Sequence, residues 1–170
     1  MEDPVTLVRR WCRKRDEAAF SAFYRVQSDR LWRFLVARGT DPETAYDVLA
    51  DAFERWMQTV CRDPRAPVAL LYRIALNRAT DLHRRRQVRE PGPAADPETL
   101  AATAPPPDVQ HDAAGLLASL DEHEQNLLLL RYWAGLTHRE VAEVLDRPEG
   151  TVRRETAGIL HQLRARLDDE

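Results

Sequence analysis

"LTHREVAEVLDRPEGTVRRETAGIL", residues 136–160, carries the densest local information in the chain. Thr137 and Glu140 stand at capping-box spacing: the hydroxyl accepts from the Glu140 amide, and the carboxylate reaches back to the Thr137 amide. Val141, Ala142, Val144 and Leu145 are the buried face of the short helix that this box opens. Asp146, Arg147 and Pro148 turn the chain into a longer helix whose inner stripe is Val152, Thr156, Ile159, Leu160, Leu163 and Leu167. Arg153, Arg154, Ala157, Gly158 and His161 fall on its opposite side. A short capped helix, a tight turn and a longer helix beginning with exposed arginines form the helix-turn-helix pattern. Outward amides and arginines at a helix N-terminus suit a DNA backbone or a guanine edge. Taken alone, the same helix also reads as an ordinary exposed polar helix. Glu155 lies on its flank, placed either to accept from a cytosine amino group or to pair within the protein.

Just upstream, Leu116, Leu117 and Leu120 begin the same lobe. Asp121 to Glu124 cap a helix carrying Leu127, Leu128, Leu130, Arg131 and Tyr132, which Gly135 ends. Further back, Pro91, Pro93, Pro97 and Pro105 to Pro107 sit among alanine, glycine and acids with no period. That composition predicts an extended tether over residues 90–112 between lobes at 1–89 and 113–170. The N-terminal lobe reads as helical throughout. Ala45, Val48, Leu49, Ala52, Phe53, Trp56, Met57 and Val60 recur at three- and four-residue intervals, opened by Asp41 as N-cap and Pro42 in the first turn. Phe20, Phe23, Leu31, Phe34 and Leu35 predict a helix or pair of helices ended by Gly39. Val68, Leu71, Ala75, Ala79 and Leu82 predict a third long helix after the loop from Pro64 to Pro67. The fold class is therefore all-α, in two small helical domains.

The 170 residues carry a net charge of only −3, so any case for a nucleic-acid partner must be local. From Asp41 to Glu54 five acids stand without a base, and Asp47, Asp51 and Glu54 share the outer face. Such a face is either solvated surface favoured by the helix dipole or a dock for a basic partner helix. From Arg73 to Arg89 six arginines face one acid, Asp81. Arg84, Arg85 and Arg86 project around the helix end, more positive charge than a helix C-terminus needs, which favours phosphate binding.

Cys12 and Cys61 are the only cysteines and lack a metal-ligand spacing, which predicts two reduced thiols rather than a disulfide. The start of the chain has no apolar leader, and its longest aliphatic run, Leu127 to Leu130, is too short for a bilayer. A soluble intracellular protein is expected. No glycine-rich phosphate loop, nucleophile elbow or His/Cys ligand set is present, so neither an enzyme nor a cofactor or metal is expected.

Three stretches, in order, resemble the extracytoplasmic-function (ECF, group 4) class of bacterial sigma factors of the sigma-70 family. "DPETAYDVLADAFERWM" resembles the acidic helix that docks on the beta-prime clamp helices of RNA polymerase. "LLYRIALNRATDLHRRR" resembles the helix that engages the −10 promoter element, and "LTHREVAEVLDRPEGTVRRE" the helix-turn-helix that reads the −35 element. Tyr46 and Ala50 stand where the family usually carries Glu and Gln. The resemblance implies core-polymerase binding through Asp47, Leu49, Asp51, Phe53 and Glu54. It implies −10 contacts from Arg62 and Arg65, in a loop receiving an unstacked base, and from Asn77, Arg78, Arg84, Arg85 and Arg86. For the −35 element it implies Arg139, Arg147, Thr151, Arg153, Arg154, Ala157 and Gly158. The implied partners are core RNA polymerase (clamp helices and beta flap), promoter DNA and an anti-sigma factor, in the cytoplasm without membrane insertion. A free-standing helix-turn-helix regulator and an all-helical protein-interaction adaptor remain alternatives, separated from this reading by core-polymerase binding.

Overall fold

A computed structural model describes residues 1–89 and 111–168, and among them all regular structure is helical. Most of the expected tether lies outside the described residues. The N-terminal lobe comprises α1 (Pro4–Lys14), α2 (Glu17–Ala37), α3 (Pro42–Thr59), a 3-10 turn (Val60–Arg62) and α4 (Pro67–Arg89). The C-terminal lobe comprises α5 (His111–Ala118), α6 (Glu122–Leu128) running into a π-helical turn (Leu129–Trp133), α7 (His138–Leu145) and α8 (Glu149–Asp168).

Aspartates start the first three helices. The Asp3, Asp16 and Asp41 carboxylates each accept the amide three residues on, with Pro4 and Pro42 in the first turns of α1 and α3. Gly39, at φ +90°, takes the left-handed conformation that ends α2. The lobe closes around Trp56, whose ring stacks on Phe23 at 4.8 Å and on Trp11 at 5.8 Å. Its buried indole N–H donates to the Pro67 carbonyl at 2.8 Å, so one residue of α3 anchors both α1 and the start of α4. Leu31, Phe34, Val48, Leu71 and Tyr72 complete this core.

The C-terminal lobe follows the predicted caps. Asp121 and Glu124 form one reciprocal box and Thr137 and Glu140 another. Leu127, Leu130, Val141, Val144, Val152 and Ile159 fill the space between α6, α7 and α8. Asp146 ends α7 at φ +52°, a left-handed position that aspartate tolerates better than most side chains. Three sequence expectations are corrected here. Met57, expected in the inner stripe of α3, is 40% exposed, because it falls beyond Phe53 at the outer edge of that stripe. Leu167 is exposed, because the end of α8 runs past the body of the lobe. Cys12 and Cys61 are joined in a disulfide: the turn after α3 brings residue 61 beside α1, a proximity that a separation of 49 residues conceals.

The lobes pack together, α7 against α4 and the π turn against α2. Trp133 donates its indole N–H to the Arg30 carbonyl at 3.0 Å. Arg38, just past α2, donates to Glu122 at 3.0 Å and to the Asn126 side chain. A solvent-open groove of about 510 Å³ runs along this junction, lined by Gln27, Arg30, Pro67, Leu136 and Glu140 among others.

Candidate nucleic-acid interface

α3 and α4 run antiparallel, which sets the acidic start of α3 beside the arginine-rich end of α4. Arg86 donates to the Thr44 hydroxyl at 2.8 Å, and Arg78 pairs with Asp51 at 2.7 Å. The outer face of α3 therefore divides. Asp47 and Glu54 are exposed, whereas Asp51 is half-buried and engaged by Arg78. Leu49 and Phe53 are buried, 7% and 3% exposed, so both hold α3 in the lobe and neither offers side-chain surface to a partner. Tyr46, 61% exposed and leaning on Trp32 at 5.3 Å, is apolar surface on the same face that charge counting passed over.

The 3-10 turn ends on Arg62 and the loop from it to α4 carries Arg65, both exposed. Arg65 is folded back on its own loop, giving two hydrogen bonds of 2.7 Å to Asp63. These bonds hold the Asp63 carboxyl below the usual carboxylate range and raise the Arg65 guanidinium, to which Glu143 of α7 adds at longer range. Asn77, Arg84 and Arg85 are exposed along and at the end of α4, where the helix extends beyond the packed body.

On α8 the burial pattern separates two faces as the periodicity predicted. Val152, Thr156 and Ile159 are buried, while Arg153, Arg154, Ala157, Gly158 and His161 are exposed. Thr151 is half-buried at the first turn. A Cβ built on Gly158 would meet nothing within 4 Å, so this position is open surface. The arginines differ in availability. Arg153 is paired with Glu149 at 2.7 Å and Arg139 with Glu143 at 3.7 Å. Arg147 approaches Glu155 at 3.3 Å, and His123 of α6 meets the same carboxylate at 2.9 Å. Glu155 is therefore used within the lobe, tying α6, the turn and α8 together, which decides between its two sequence readings. Of the arginines opening α8, Arg154 is the exposed one outside these ion pairs among the described residues.

Sequence reasoning missed the junction residues Arg38, Asn126, Glu122 and Trp133. Arg38 is a lone arginine after a helix and gives no periodic signal, but Trp133 beside an apolar run was a legible hint of a second buried surface.

Two helical lobes, one a helix-turn-helix with an exposed arginine at the start of its second helix, form the arrangement of a DNA-reading protein. Residues 116–165 match the family described as "Sigma-70, region 4". The ECF RNA polymerase sigma factor RpoE of Cereibacter sphaeroides is 31% identical over 179 residues, covering 97% of this chain and 95% of that one. The RNA polymerase sigma-E factor of Streptomyces coelicolor is 30% identical, covering 89% and 85%. Among solved structures, CnrH in complex with the cytosolic domain of CnrY shares the fold at a TM-score of 0.62, with 23% identity and 99% of each chain covered. The chain belongs to the ECF RNA polymerase sigma factors.

Proposed function

We propose that this sigma factor works without chemistry of its own, by docking on core RNA polymerase through α3 and placing α4 and α8 on the two promoter elements. Asp47 and Glu54, exposed on one helix face, are the polymerase-facing acids, with Asp51 recruited once Arg78 lets go. Arg62 and Arg65 bracket an unstacked −10 base, and Asn77, Arg78 and Arg84 to Arg86 neutralise adjacent phosphates. Backbone neutralisation by several arginines offsets the few kcal/mol that unstacking costs. In the −35 major groove Arg154 is the leading base contact, with Arg153 and Thr151 beside it and Ala157 and Gly158 allowing close approach. Arg139 and Arg147, at the edges of the turn, are assigned to the backbone. The chain acts in the cytoplasm as lobes 1–89 and 113–170 joined by the proline-rich segment between them.

The observation carrying this reading is the division of charge between two antiparallel neighbours, exposed acids on α3 and exposed arginines at the end of α4. The solved relative in fold has a bound protein partner, and the closed packing of the lobes here supports a similar partner, an anti-sigma factor that holds them together. Run-off transcription with this chain as the sole sigma subunit tests the function. Specific transcripts are expected, and their loss is expected in the Asp47→Arg, Asp51→Arg double variant. Failure of the wild-type chain to bind core enzyme would sink the reading.

A further inference from the structure

Cys61 opens the loop that leads from α3 into α4, and its sulfur is bonded to Cys12 on α1, with the two Cα atoms 5.4 Å apart. Cys61 is exposed and Cys12 half-buried, so the bridge lies at the surface of the lobe. The loop has two anchors. Its far end is held inside the core, where the Trp56 indole donates to the Pro67 carbonyl. Its near end is held by the buried Val60 and by the disulfide. Between the anchors every residue is exposed or half-buried.

The bridge is not the sole link between α1 and the rest of the N-terminal lobe. α1 is already seated by buried Leu7 and Val8, by the stack of Trp11 on Trp56, and by the Arg10–Asp16 ion pair at 3.0 Å. Opening the disulfide removes the covalent tie between residue 61 and α1, and leaves the segment held by buried Val60, by the Asp63 amide on the Val60 carbonyl and by the Arg65–Asp63 pair. A sigma factor works on RNA polymerase inside the cell, where thiol buffers make an accessible disulfide a transient feature.

We propose that Cys12 and Cys61 form a thiol–disulfide modification site for low-molecular-weight thiols and disulfides. Its reduced state frees the −10 loop to close around an unstacked base; its oxidised state holds the loop against α1 and weakens promoter opening. In reduction, a thiolate attacks the Cys61 sulfur and the S–S electron pair leaves on Cys12, which takes a proton. A second thiolate attacks the external sulfur of the mixed disulfide and expels the Cys61 thiolate, which takes a proton in turn. Two small thiols become one disulfide as the protein gains two electrons and two protons. Oxidation by a small disulfide is the reverse. The promoter half of this inference rests on the sigma reading of the loop; the tether half does not.

The test uses the full chain equilibrated with either reduced or oxidised glutathione. Maleimide labelling is expected to find two thiols in the reduced protein and none in the oxidised. Trypsin is expected to cut after Arg62 and Arg65 several-fold faster in the reduced protein, with fragments resolved after a common reduction step. Open-complex yield with core polymerase is expected to be several-fold higher for the reduced form. The Cys12→Ser, Cys61→Ser variant should match reduced wild type in both buffers. Persistence of both thiols in oxidised buffer, or equal cleavage rates, overturns the proposal entirely. Redox-dependent cleavage with equal open-complex yields overturns its promoter half. Redox-dependent cleavage with no transcription in either state overturns the sigma reading of the loop and leaves the tether standing.

Discussion

Arg38 and Glu122 lie 84 residues apart and meet across the lobe junction at 3.0 Å, the guanidinium 8% exposed and the carboxylate 80%. Burial pulls the Arg38 pKa down, and Glu122 pulls it back up. The arginine stays charged throughout the physiological range, so the closed arrangement holds a buried cation that depends on partners in the other lobe. Glu122→Ala leaves it with the Asn126 side chain and the face of Phe34. Losing a charge-assisted bond of this kind costs about 1–2 kcal/mol, enough to shift the closed-to-open ratio roughly 5- to 30-fold. Small-angle scattering of the variant should show a larger radius of gyration, and core polymerase should bind it more tightly. Unchanged scattering would remove Arg38 as a latch.

The two candidate docking acids are expected to behave differently when mutated. Asp47 has no described ion pair, so Asp47→Arg should weaken core binding tenfold or more while leaving the melting temperature alone. Asp51 also holds Arg78, so Asp51→Arg should both weaken core binding and lower stability, by about 0.5–1 kcal/mol. Anisotropy titrations with core enzyme, run beside thermal melts, separate the two effects. Equal melting temperatures for both variants would mean that the Arg78 contact contributes nothing.

On α8, Arg154→Ala is expected to cost about 1–3 kcal/mol of −35 duplex affinity. Arg153→Ala is expected to cost less, because Arg153 must first give up Glu149. Gly158→Ala should stabilise the isolated protein by about 1 kcal/mol, since nothing in the chain crowds the new methyl group. The same change should weaken duplex binding if the residue faces the groove. Paired melts and duplex titrations decide it: a stabilised variant with unaltered affinity places Gly158 away from DNA.

Acid should loosen the N-terminal lobe through its helix caps. The Asp16 carboxyl is held below the usual carboxylate range by the Ala19 amide and then by Arg10. Asp41 is held down by the Thr44 hydroxyl and then by the Thr44 amide. A folded-state pKa below the unfolded value, which is about 4, means stability that is complete above that value and lost as pH falls through the depressed one. Asp16→Asn and Asp41→Asn keep a capping oxygen but remove the charge. Both variants should melt below wild type at pH 7 and converge with it in strong acid. A constant difference across the pH range would show that charge plays no part.

Much of the fold was legible because its cues are local. Asp41 before Pro42, Thr137 with Glu140 and Asp121 with Glu124 satisfy the orphan amides of their own helices, and such bonds need only a three-residue spacing. The sidedness of α8 was equally readable, since a helical period assigns Val152 and Ile159 inward and Arg154 and Gly158 outward without reference to anything else. The candidate sites were legible as charge runs, but a charge run does not reveal which members are already paired. Asp51 with Arg78 and Glu155 with His123 join residues 27 and 32 apart, separations that no periodic pattern encodes.

The sequence by itself determined the later helices, the caps at Asp41, Asp121 and Thr137, the two lobes and the family, because each follows from short-range spacing or from residue-by-residue similarity; α1 and the Asp3 and Asp16 caps went unread. Only the tertiary structure decided that Asp51 is engaged by Arg78, that Arg154 stands outside the ion pairs around it, and that Cys12 lies against Cys61. It also decided that Arg38 closes the lobes onto each other. These depend on how whole helices cross, and the crossing is set by the fit of many side chains around Trp56 and Leu130 rather than by any one stretch of chain.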